Sequence, residues 1–245
     1  MYFYLFDSFL SNKKYEKILT KVERRIVDLG IEGKFECLTA LKNLEELIKG
    51  AIKKGIKTIV AAGDDQTVAR VINAIADSDV VLGIIPFGNN KTAQLLGIPK
   101  GELACDVISN RLIEKVDLGQ INHHYFLTSL KITNHQVSLE CDDSYIITPS
   151  PSQEINISNL DYKNDKIFNP QDGFLETHLS PSRGWGRFSK NDGTLFPIKK
   201  IRVLESNKEK PATIIADGLK VLKRPLTIQV APQKLKIIVG KERKF

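Results

Sequence analysis

The fold is decided by the stretch Thr58–Pro99, TIVAAGDDQTVARVINAIADSDVVLGIIPFGNNKTAQLLGIP. Its first part predicts a buried strand at Thr58–Ala62, because five small or β-branched residues follow one another. The polar turn Gly63–Thr67 comes next, and a helix is predicted over Val68–Ala76. A strand that ends in a polar turn before a helix is typical of a parallel α/β sheet.

The same order of elements follows directly in the chain. A second apolar strand is predicted at Val80–Ile85, and it leads through the turn Pro86–Asn90 into another short helix. Both turns are therefore expected at the carboxyl edge of one sheet, where ligands bind in open α/β folds. Helix amino termini at that edge present N–H groups and a positive dipole end, which suit phosphate.

Strand-like and helical patterns alternate over the first part of the chain. The strands Tyr2–Phe6 and Phe35–Leu38 precede helical patterns, the first at Asn12–Leu29 and the second with Asn43 as its amino-terminal cap. This alternation predicts an α/β domain over residues 1–111, with a doubly wound parallel sheet and helices on both faces.

The pattern changes after Arg111, where short strand-like runs are separated by turn residues. Close spacing and Asp-Gly and Pro punctuation predict an antiparallel β-sandwich or barrel domain over residues 112–245. The predicted strands are 115–118, 125–132, 136–141, 145–147, 154–157, 174–178, 200–204, 212–216, 226–230 and 235–239.

One irregular segment, residues 179–196, contains the sole tryptophan of the chain. Trp185 lies between Arg183 and Arg187. Two interpretations stay open: a surface loop whose Trp185 packs on the sandwich, or an interfacial anchor, since tryptophan beside arginine suits a lipid headgroup layer.

Composition places the chain among soluble globular proteins. It has 245 residues, of which 42% are hydrophobic and 27% charged, and no apolar run approaches the roughly 20 residues that cross a bilayer. The start, Met1–Asp7, lacks the basic region of a signal peptide, which favours a cytoplasmic protein. Cys37, Cys105 and Cys141 are odd in number and widely spaced, so buried free thiols are expected.

The net charge of +7 favours an anionic partner, such as a nucleotide or acidic lipid headgroups. The lysines are spread along the sequence, which favours an ordinary solvated surface. Nucleic acid is a disfavoured partner, because only the net charge and Trp185 support it. The many antiparallel strands offer edges that could pair in a homo-oligomer.

The two turns resemble the signatures of the diacylglycerol kinase catalytic-domain family, which includes bacterial lipid kinases and sphingosine kinases. Gly63–Thr67 lies over the Gly-Gly-Asp-Gly-Thr signature without gaps, and Ile84–Ala93 with Leu96–Pro99 resembles the second signature, one residue shorter. Further likenesses, in the family's order, are Val116–Gly119, Asp172–Leu175, Ala216–Gly218 and Pro225–Ile228.

The resemblance implies an ATP-dependent kinase that phosphorylates a lipid hydroxyl at a membrane surface, in phospholipid metabolism, with ATP and Mg²⁺ as cofactors. Asp65 then matches the candidate base or metal-linked carboxylate, and Asp217 matches the acidic residue of the closing Asp-Gly-Glu. No metal ligands are assigned. The positions that match the family's nucleotide contacts are Gly63, Asp64, Gln66, Thr67, Gly88, Asn89, Asn90 and Lys91. There are two alternatives: Thr67 is only a helix cap, and Asp217 is only a residue of a hairpin turn.

Five positions depart from the family pattern. Asp64 and Gln66 stand where the family has glycine, Arg70 and Leu219 where it has glutamate, and Lys91 where it has aspartate. Arg70 and Lys91 either bind phosphate or pair with Asp64 and Asp65. These departures give a second hypothesis, a non-catalytic phosphate- or lipid-binding member of the same fold. An NAD kinase, whose fold is related, is a third and less favoured one, because the Pro-x-Gly turn with Leu-Gly-Ile-Pro points to the lipid branch.

Overall fold

The computed structural model describes residues 1–39, 43–133, 137–150, 153–163, 166–181, 193–205, 212–221 and 226–245. The chain forms two compact units. The first contains Met1–Val116 and Gln233–Phe245, and the second contains Asp117–Pro232.

The first unit is built on parallel strands with helices between them. Its strands are β1 (Tyr2–Asp7), β2 (Gly33–Leu38), β3 (Thr58–Gly63) and β4 (Val81–Pro86), hydrogen-bonded in the order β2-β1-β3-β4. Its helices are α1 (Glu16–Asp28), α2 (Leu44–Lys53), α3 (Asp65–Ile75), α4 (Lys91–Leu95) and α5 (Leu103–Asn110), with short 3₁₀ turns at Ser8–Ser11 and Lys13–Tyr15.

The central strands of this sheet are completely enclosed. All six residues of β3 and all six of β4 are buried, which requires cover on both faces of the sheet and explains their continuous apolar sequences. The predicted α/β class with a parallel sheet is confirmed. Asn43 caps α2 as predicted, since its Oδ1 accepts the N–H groups of Glu45 and Glu46.

The second unit is antiparallel, as predicted. Its first strands are β5 (Ile113–Ile121), which begins in the first unit, β6 (His124–Phe126), β7 (Ser129–Thr133), β8 (Val137–Cys141), β9 (Tyr145–Ile147) and β10 (Gln153–Ser158). They are followed by β11 (Tyr162–Lys163), β12 (Lys166–Ile167), β13 (Leu175–Pro181), β14 (Thr194–Ile198), β15 (Lys200–Glu205), β16 (Thr213–Ala216), β17 (Leu219–Val221) and β18 (Leu226–Ile238).

Two layers share the core of this unit. One sheet has the order β14-β13-β10-β7-β16-β17, and the other contains β15, β8, β9 and the first part of β18. Apolar side chains from both layers, such as Leu130 and Ile155 on one side and Leu139 and Ile201 on the other, belong to one buried cluster. This is the arrangement of a β-sandwich.

The end of the chain differs from the predicted division at residues 111 and 112. The predicted strands 226–230 and 235–239 are one continuous strand, β18. Its first part pairs antiparallel with β15, whereas Lys236 and Ile237 pair parallel with Val81 and Leu82 of β4. The alternation of apolar residues predicts a strand here but carries no information about its partner, so the return to the first unit was missed.

Two smaller differences have local causes. The predicted strand 125–132 is interrupted between β6 and β7, because the N–H groups of Leu127 and Thr128 bind a side chain instead of a neighbouring strand. Helix α3 begins at Asp65 rather than at Val68, because Asp64 caps it.

The remaining expectations concern the thiols, membrane spans and the tryptophan segment. All three cysteines are free; Cys105 and Cys141 are buried, and Cys37 is partly exposed. In the part of the chain that the structure describes, no helix is long and apolar enough to cross a membrane. Trp185, Arg183 and Arg187 lie outside the described residues.

The parallel end of β18 provides a test of the first unit's core. Ile237→Ala removes a side chain with 0% exposure, so we expect the free energy of unfolding to fall by about 2–5 kcal/mol in urea denaturation. The matched control is Ile146→Ala on β9, where the side chain is 62% exposed and the expected change is within about 0.5 kcal/mol. Equal effects of the two variants would contradict the assignment of this segment to the core.

Candidate functional site

The two predicted turns lie side by side, as the sequence predicts. The parallel register pairs Gly63 with Pro86, so β3 and β4 end together. The carbonyl oxygen of Gly63 accepts the Phe87 N–H at 2.9 Å and the Asn90 Nδ2–H at 3.0 Å. The N–H of Asp65 donates back to the carbonyl of Asn89 at 3.3 Å. These bonds hold the two turns in one position relative to each other.

Asp64 closes the amino terminus of α3 with its own carboxylate. Its Oδ1 accepts the N–H of Thr67 at 3.0 Å and lies 3.0 Å from the Thr67 hydroxyl oxygen, whose shorter contact is with Asp7. The backbone of Asp64 is extended, with φ −90°, so an aspartate is accommodated here without strain. This is an ordinary aspartate N-cap, in which the carboxylate accepts a hydrogen bond from a backbone amide of the first helical turn.

Thr67 is enclosed and contacts two carboxylates. Its side chain is 0% exposed, and its hydroxyl is 2.7 Å from Asp7 Oδ2 and 3.0 Å from Asp64 Oδ1. A Cβ on Gly63 would lie 2.4 Å from the Thr67 hydroxyl oxygen. The absence of a side chain at Gly63 therefore leaves room for Thr67. The side chain of Thr67 lies buried beneath the turn and not on its surface.

Asp7, at the end of β1, contacts the site residues Thr67 and Arg70, and it was not singled out from the sequence. Its carboxylate is buried and accepts an ion-pair hydrogen bond from Arg70 as well as the bond from Thr67. Arg70 thus pairs with Asp7 instead of the predicted Asp64 or Asp65, whereas phosphate binding by Arg70 stays a prediction. A polar residue directly after the apolar strand Tyr2–Phe6 was the available signal.

Asp65 connects α3 to α4. Its two carboxylate oxygens accept the N–H groups of Lys91 and Thr92, each at 2.9 Å. Asn90 is 1% exposed and caps α4, with its Oδ1 accepting the N–H of Ala93 at 2.8 Å. Two backbone amides therefore fix the orientation of the candidate base, Asp65. The buried Asn90 stabilises the start of α4, to which these amides belong.

An open groove of about 640 Å³ lies at this edge of the sheet. Gly88 lines it with φ +65°, a conformation that favours glycine, and open space surrounds the position of a Cβ. The groove receives residues from the ends of β1, β3 and β4: Ser8, Phe9, Ser11, Asn12, Lys14, Tyr15, Asp64, Gly88 and Asn89. Of the eight predicted nucleotide contacts, Asp64, Gly88 and Asn89 face the groove. Gly63, Thr67 and Asn90 are buried, and Gln66 and Lys91 are exposed on their helices.

Asp217 lies in the second unit, in the two-residue turn between β16 and β17. Its φ is +46° and that of Gly218 is +80°, as in the hairpin turn predicted as the alternative for this residue. Its carboxylate accepts the N–H groups of Leu127 at 2.6 Å, and of Thr128 and Ser129 at 3.0 Å each, together with the Thr128 hydroxyl. Burial raises the pKa of Asp217, against the lowering effect of these hydrogen bonds.

The described part of the chain contains no ready metal centre made of acidic or other metal-binding side chains. Among the described residues, no three His, Cys, Asp or Glu side chains are grouped so that they could hold a metal ion. A cation at this edge would depend on Asp64 and Asp65 together with ligands that arrive with a substrate.

The buried carboxylate of Asp7 generates a stability prediction. Asp7→Ala leaves the Thr67 hydroxyl and the Arg70 guanidinium without this acceptor, so we expect a loss of about 1–3 kcal/mol in urea denaturation. Arg70→Ala in the Asp7→Ala background should cost less than in the wild type, with a coupling of about 0.5–1 kcal/mol because Arg70 is partly exposed. The exposed pair Glu45 and Lys49 of α2, 3.7 Å apart, is the control cycle and should show less coupling. Additivity at Asp7 and Arg70 would contradict the network.

The amide contacts of Asp217 generate a second prediction, with three variants that separate its roles. Asp217→Asn keeps one acceptor oxygen and tolerates positive φ, so it should be the mildest. Asp217→Gly keeps the backbone conformation but leaves three N–H groups unpaired, and we expect a loss of about 2–4 kcal/mol of unfolding free energy. Asp217→Ala adds backbone strain and should be the most destabilising. A Gly variant as stable as wild type would show that these hydrogen bonds contribute nothing.

Comparisons with known proteins agree with the motifs and the fold. Residues 3–121 match the family model of the diacylglycerol kinase catalytic domain. A diacylglycerol kinase of Bacillus subtilis (strain 168) is 32% identical over 118 residues, which are 46% of this chain and 39% of that protein. One of Staphylococcus haemolyticus (strain JCSC1435) is 40% identical over 81 residues, which are 31% of this chain and 24% of that protein. The aligned stretches thus span about two fifths or less of these relatives.

The likeness of fold extends much further along the chain. The crystal structure of a diacylglycerol kinase from Bacillus anthracis str. Sterne superposes with a TM-score of 0.82, covering 98% of this chain and 97% of that chain, at 17% sequence identity. The fold is thus shared over nearly all of the chain, and the sequence match is concentrated in the region that contains both turns. Residues 3–121 thus match the diacylglycerol kinase catalytic domain in sequence, and nearly the whole chain resembles a diacylglycerol kinase in fold.

Proposed function

We propose that this protein is an ATP-dependent lipid kinase of the diacylglycerol kinase type, which transfers a phosphoryl group to a lipid hydroxyl at the cytoplasmic surface of a membrane. The observation that carries the proposal is the groove of about 640 Å³ at the carboxyl edge of the parallel sheet. It is formed by the turns after three neighbouring strands, β1, β3 and β4, which is the location of ligands in open α/β sheets.

The groove has the size and the chemistry that a nucleoside triphosphate needs. Ligand pockets of roughly 300–1,000 Å³ are typical, and this one combines aromatic rings with polar groups and the ammonium of Lys14. At Gly88 no atom of the described residues lies within 4 Å of the position that a Cβ would take, so phosphate oxygens can approach the backbone there. ATP therefore fits the residues that are present.

Asp65 has the properties of the residue that activates the acceptor hydroxyl. Its orientation is fixed by the amides of Lys91 and Thr92, and a carboxylate offers about four lone-pair directions, of which these bonds use two. It can accept a proton from a lipid hydroxyl placed beside it. Asp64 and Asp65 are also the side chains that would hold Mg²⁺ together with nucleotide phosphates, since Mg²⁺ takes one or two carboxylates in such sites. The cation would neutralise charge on the transferred group.

The contacts of Asp217 support a structural role for this residue and not a role in proton transfer. Its carboxylate is engaged by four hydrogen bonds from residues 127–129. We propose that it holds this segment between β6 and β7 in place.

A second candidate function is favoured by Asp64. Its carboxylate already binds the amide of Thr67 and lines the groove, so it brings a negative charge to the place where a phosphate would bind. At about 4 Å the repulsion is on the order of 4 kcal/mol near a protein surface unless a cation intervenes. This repulsion favours a member of the same fold that binds a lipid, or a phosphate that arrives with a cation, and has no kinase activity.

Calorimetry and an activity assay distinguish the two candidates. ATP is titrated with and without Mg²⁺ into wild type, Asp65→Ala and the control Glu45→Ala, whose site is on the surface of α2. Transfer of labelled phosphate from ATP to diacylglycerol is then followed in mixed micelles. We expect Mg²⁺-dependent ATP binding, and transfer that falls about 10²–10⁴-fold in Asp65→Ala, the range for loss of a general base, and stays unchanged in Glu45→Ala.

The other outcomes are equally informative. ATP binding without transfer to a panel of lipid hydroxyls would support the second candidate, and turnover gained by Asp64→Gly, Gln66→Gly and Leu219→Glu combined would show that these positions suppress catalysis. Absence of binding at millimolar ATP would contradict the kinase proposal.

A further inference from the structure

One wall of the groove is aromatic. Phe9 and Tyr15 both line it, with ring centroids 5.4 Å apart and planes at 60°. Phe87, which is 3% exposed, meets the ring of Tyr15 at right angles, with centroids 6.3 Å apart and planes at 85°. Two neighbours on different elements thus fix the orientation of a ring that borders open space.

A cation lies against this ring. The ammonium of Lys14 is 4.8 Å from the centroid of Tyr15, which is within the range of a cation–π contact. The Lys14 side chain is exposed, and a flexible lysine can exchange this weak contact for a stronger one with a phosphate oxygen. When it does so, the face of Tyr15 becomes available to a flat ligand.

The aromatic wall is tied to the phosphate edge through the backbone. Phe87 donates its N–H to the carbonyl of Gly63 and directly precedes Gly88 and Asn89, which line the same groove. The ring that supports Tyr15 is therefore held by the hydrogen bond that joins the two turns. An aromatic platform and a phosphate-binding backbone are thus fixed relative to each other in one cavity.

We propose that Tyr15, with Phe9 beside it, is the platform on which the nucleobase stacks, and that Lys14 leaves the ring to bind the phosphates. The inference rests on the nucleotide site proposed above and assigns its base-recognition residue. Because every base has a π face, stacking tolerates different bases. The groove should therefore discriminate a nucleotide from phosphate alone more strongly than one base from another.

Calorimetry on the full chain with two ligands tests the platform. Mg²⁺-ATP and Mg²⁺-tripolyphosphate are titrated into wild type, Tyr15→Leu and Tyr15→Phe, where leucine keeps apolar packing against Phe9 and Phe87 without a π face. Tyr145→Leu, on the partly exposed strand β9, is the matched control. We expect wild type and Tyr15→Phe to bind ATP about 10-fold or more tightly than tripolyphosphate, as base stacking predicts. Tyr15→Leu should lose this advantage and bind tripolyphosphate unchanged.

Each remaining outcome overturns a different statement. Equal binding of ATP and tripolyphosphate by wild type, or full ATP affinity in Tyr15→Leu, would refute the platform and leave the phosphate site standing. Binding of neither ligand by wild type would refute the nucleotide site and the platform with it. Lys14→Gln should lower the affinity for ATP and for tripolyphosphate by the same factor. A loss of affinity for ATP alone would contradict the movement of Lys14 to the phosphates.

Discussion

The carbonyl oxygen of Gly63 is the point on which the candidate site depends. It is the last acceptor of β3, and it receives one N–H from the turn after β4 and one from the side chain of Asn90. Because these donors come from the next strand–turn unit, the two turns cannot move independently. The groove, the aromatic wall and the orientation of Asp65 all depend on this connection, and the burial of β3 and β4 protects it from water.

Carboxylates perform the same task at three places. Asp64 binds an amide at the start of α3, Asp65 binds two amides at the start of α4, and Asp217 binds three amides between β6 and β7. A buried N–H without an acceptor costs more free energy of folding than a typical hydrogen bond contributes. These side chains therefore supply acceptors for backbone N–H groups where strands and helices begin or end. Asp65 retains free lone-pair directions in this arrangement, whereas Asp217 is surrounded by donors. Residues in signature positions therefore differ in what they can still do chemically.

Two of the five departures from the family signatures, Asp64 and Arg70, belong to one local network with Asp7 and Thr67. Arg70 pairs with Asp7, and the same carboxylate accepts the Thr67 hydroxyl. An arginine in place of a glutamate is stable here because an acidic residue at the end of β1 compensates its charge. The positive charge of Arg70 is therefore compensated within the first unit by the carboxylate of Asp7.

The parallel sheet, its helices and both turns could be predicted from the sequence, because hydrophobic periodicity and caps such as Asn43 are local signals. The resemblance to the diacylglycerol kinase family could also be seen there, since the motifs occur in order along the chain. The partners of the site residues, in contrast, follow only from the fold. Asp7 and Arg70 are 63 residues apart, and Asp217 is about 90 residues from the amides that it binds. The tertiary structure also decided that β18 ends on β4, because a strand's alternation specifies its two faces but not the neighbour that receives its hydrogen bonds. The local pattern of residues predicts whether a segment is a strand, a helix or a turn. Ion pairs and side-chain bonds to backbone amides form between segments that are distant in sequence, so they are known only from the fold.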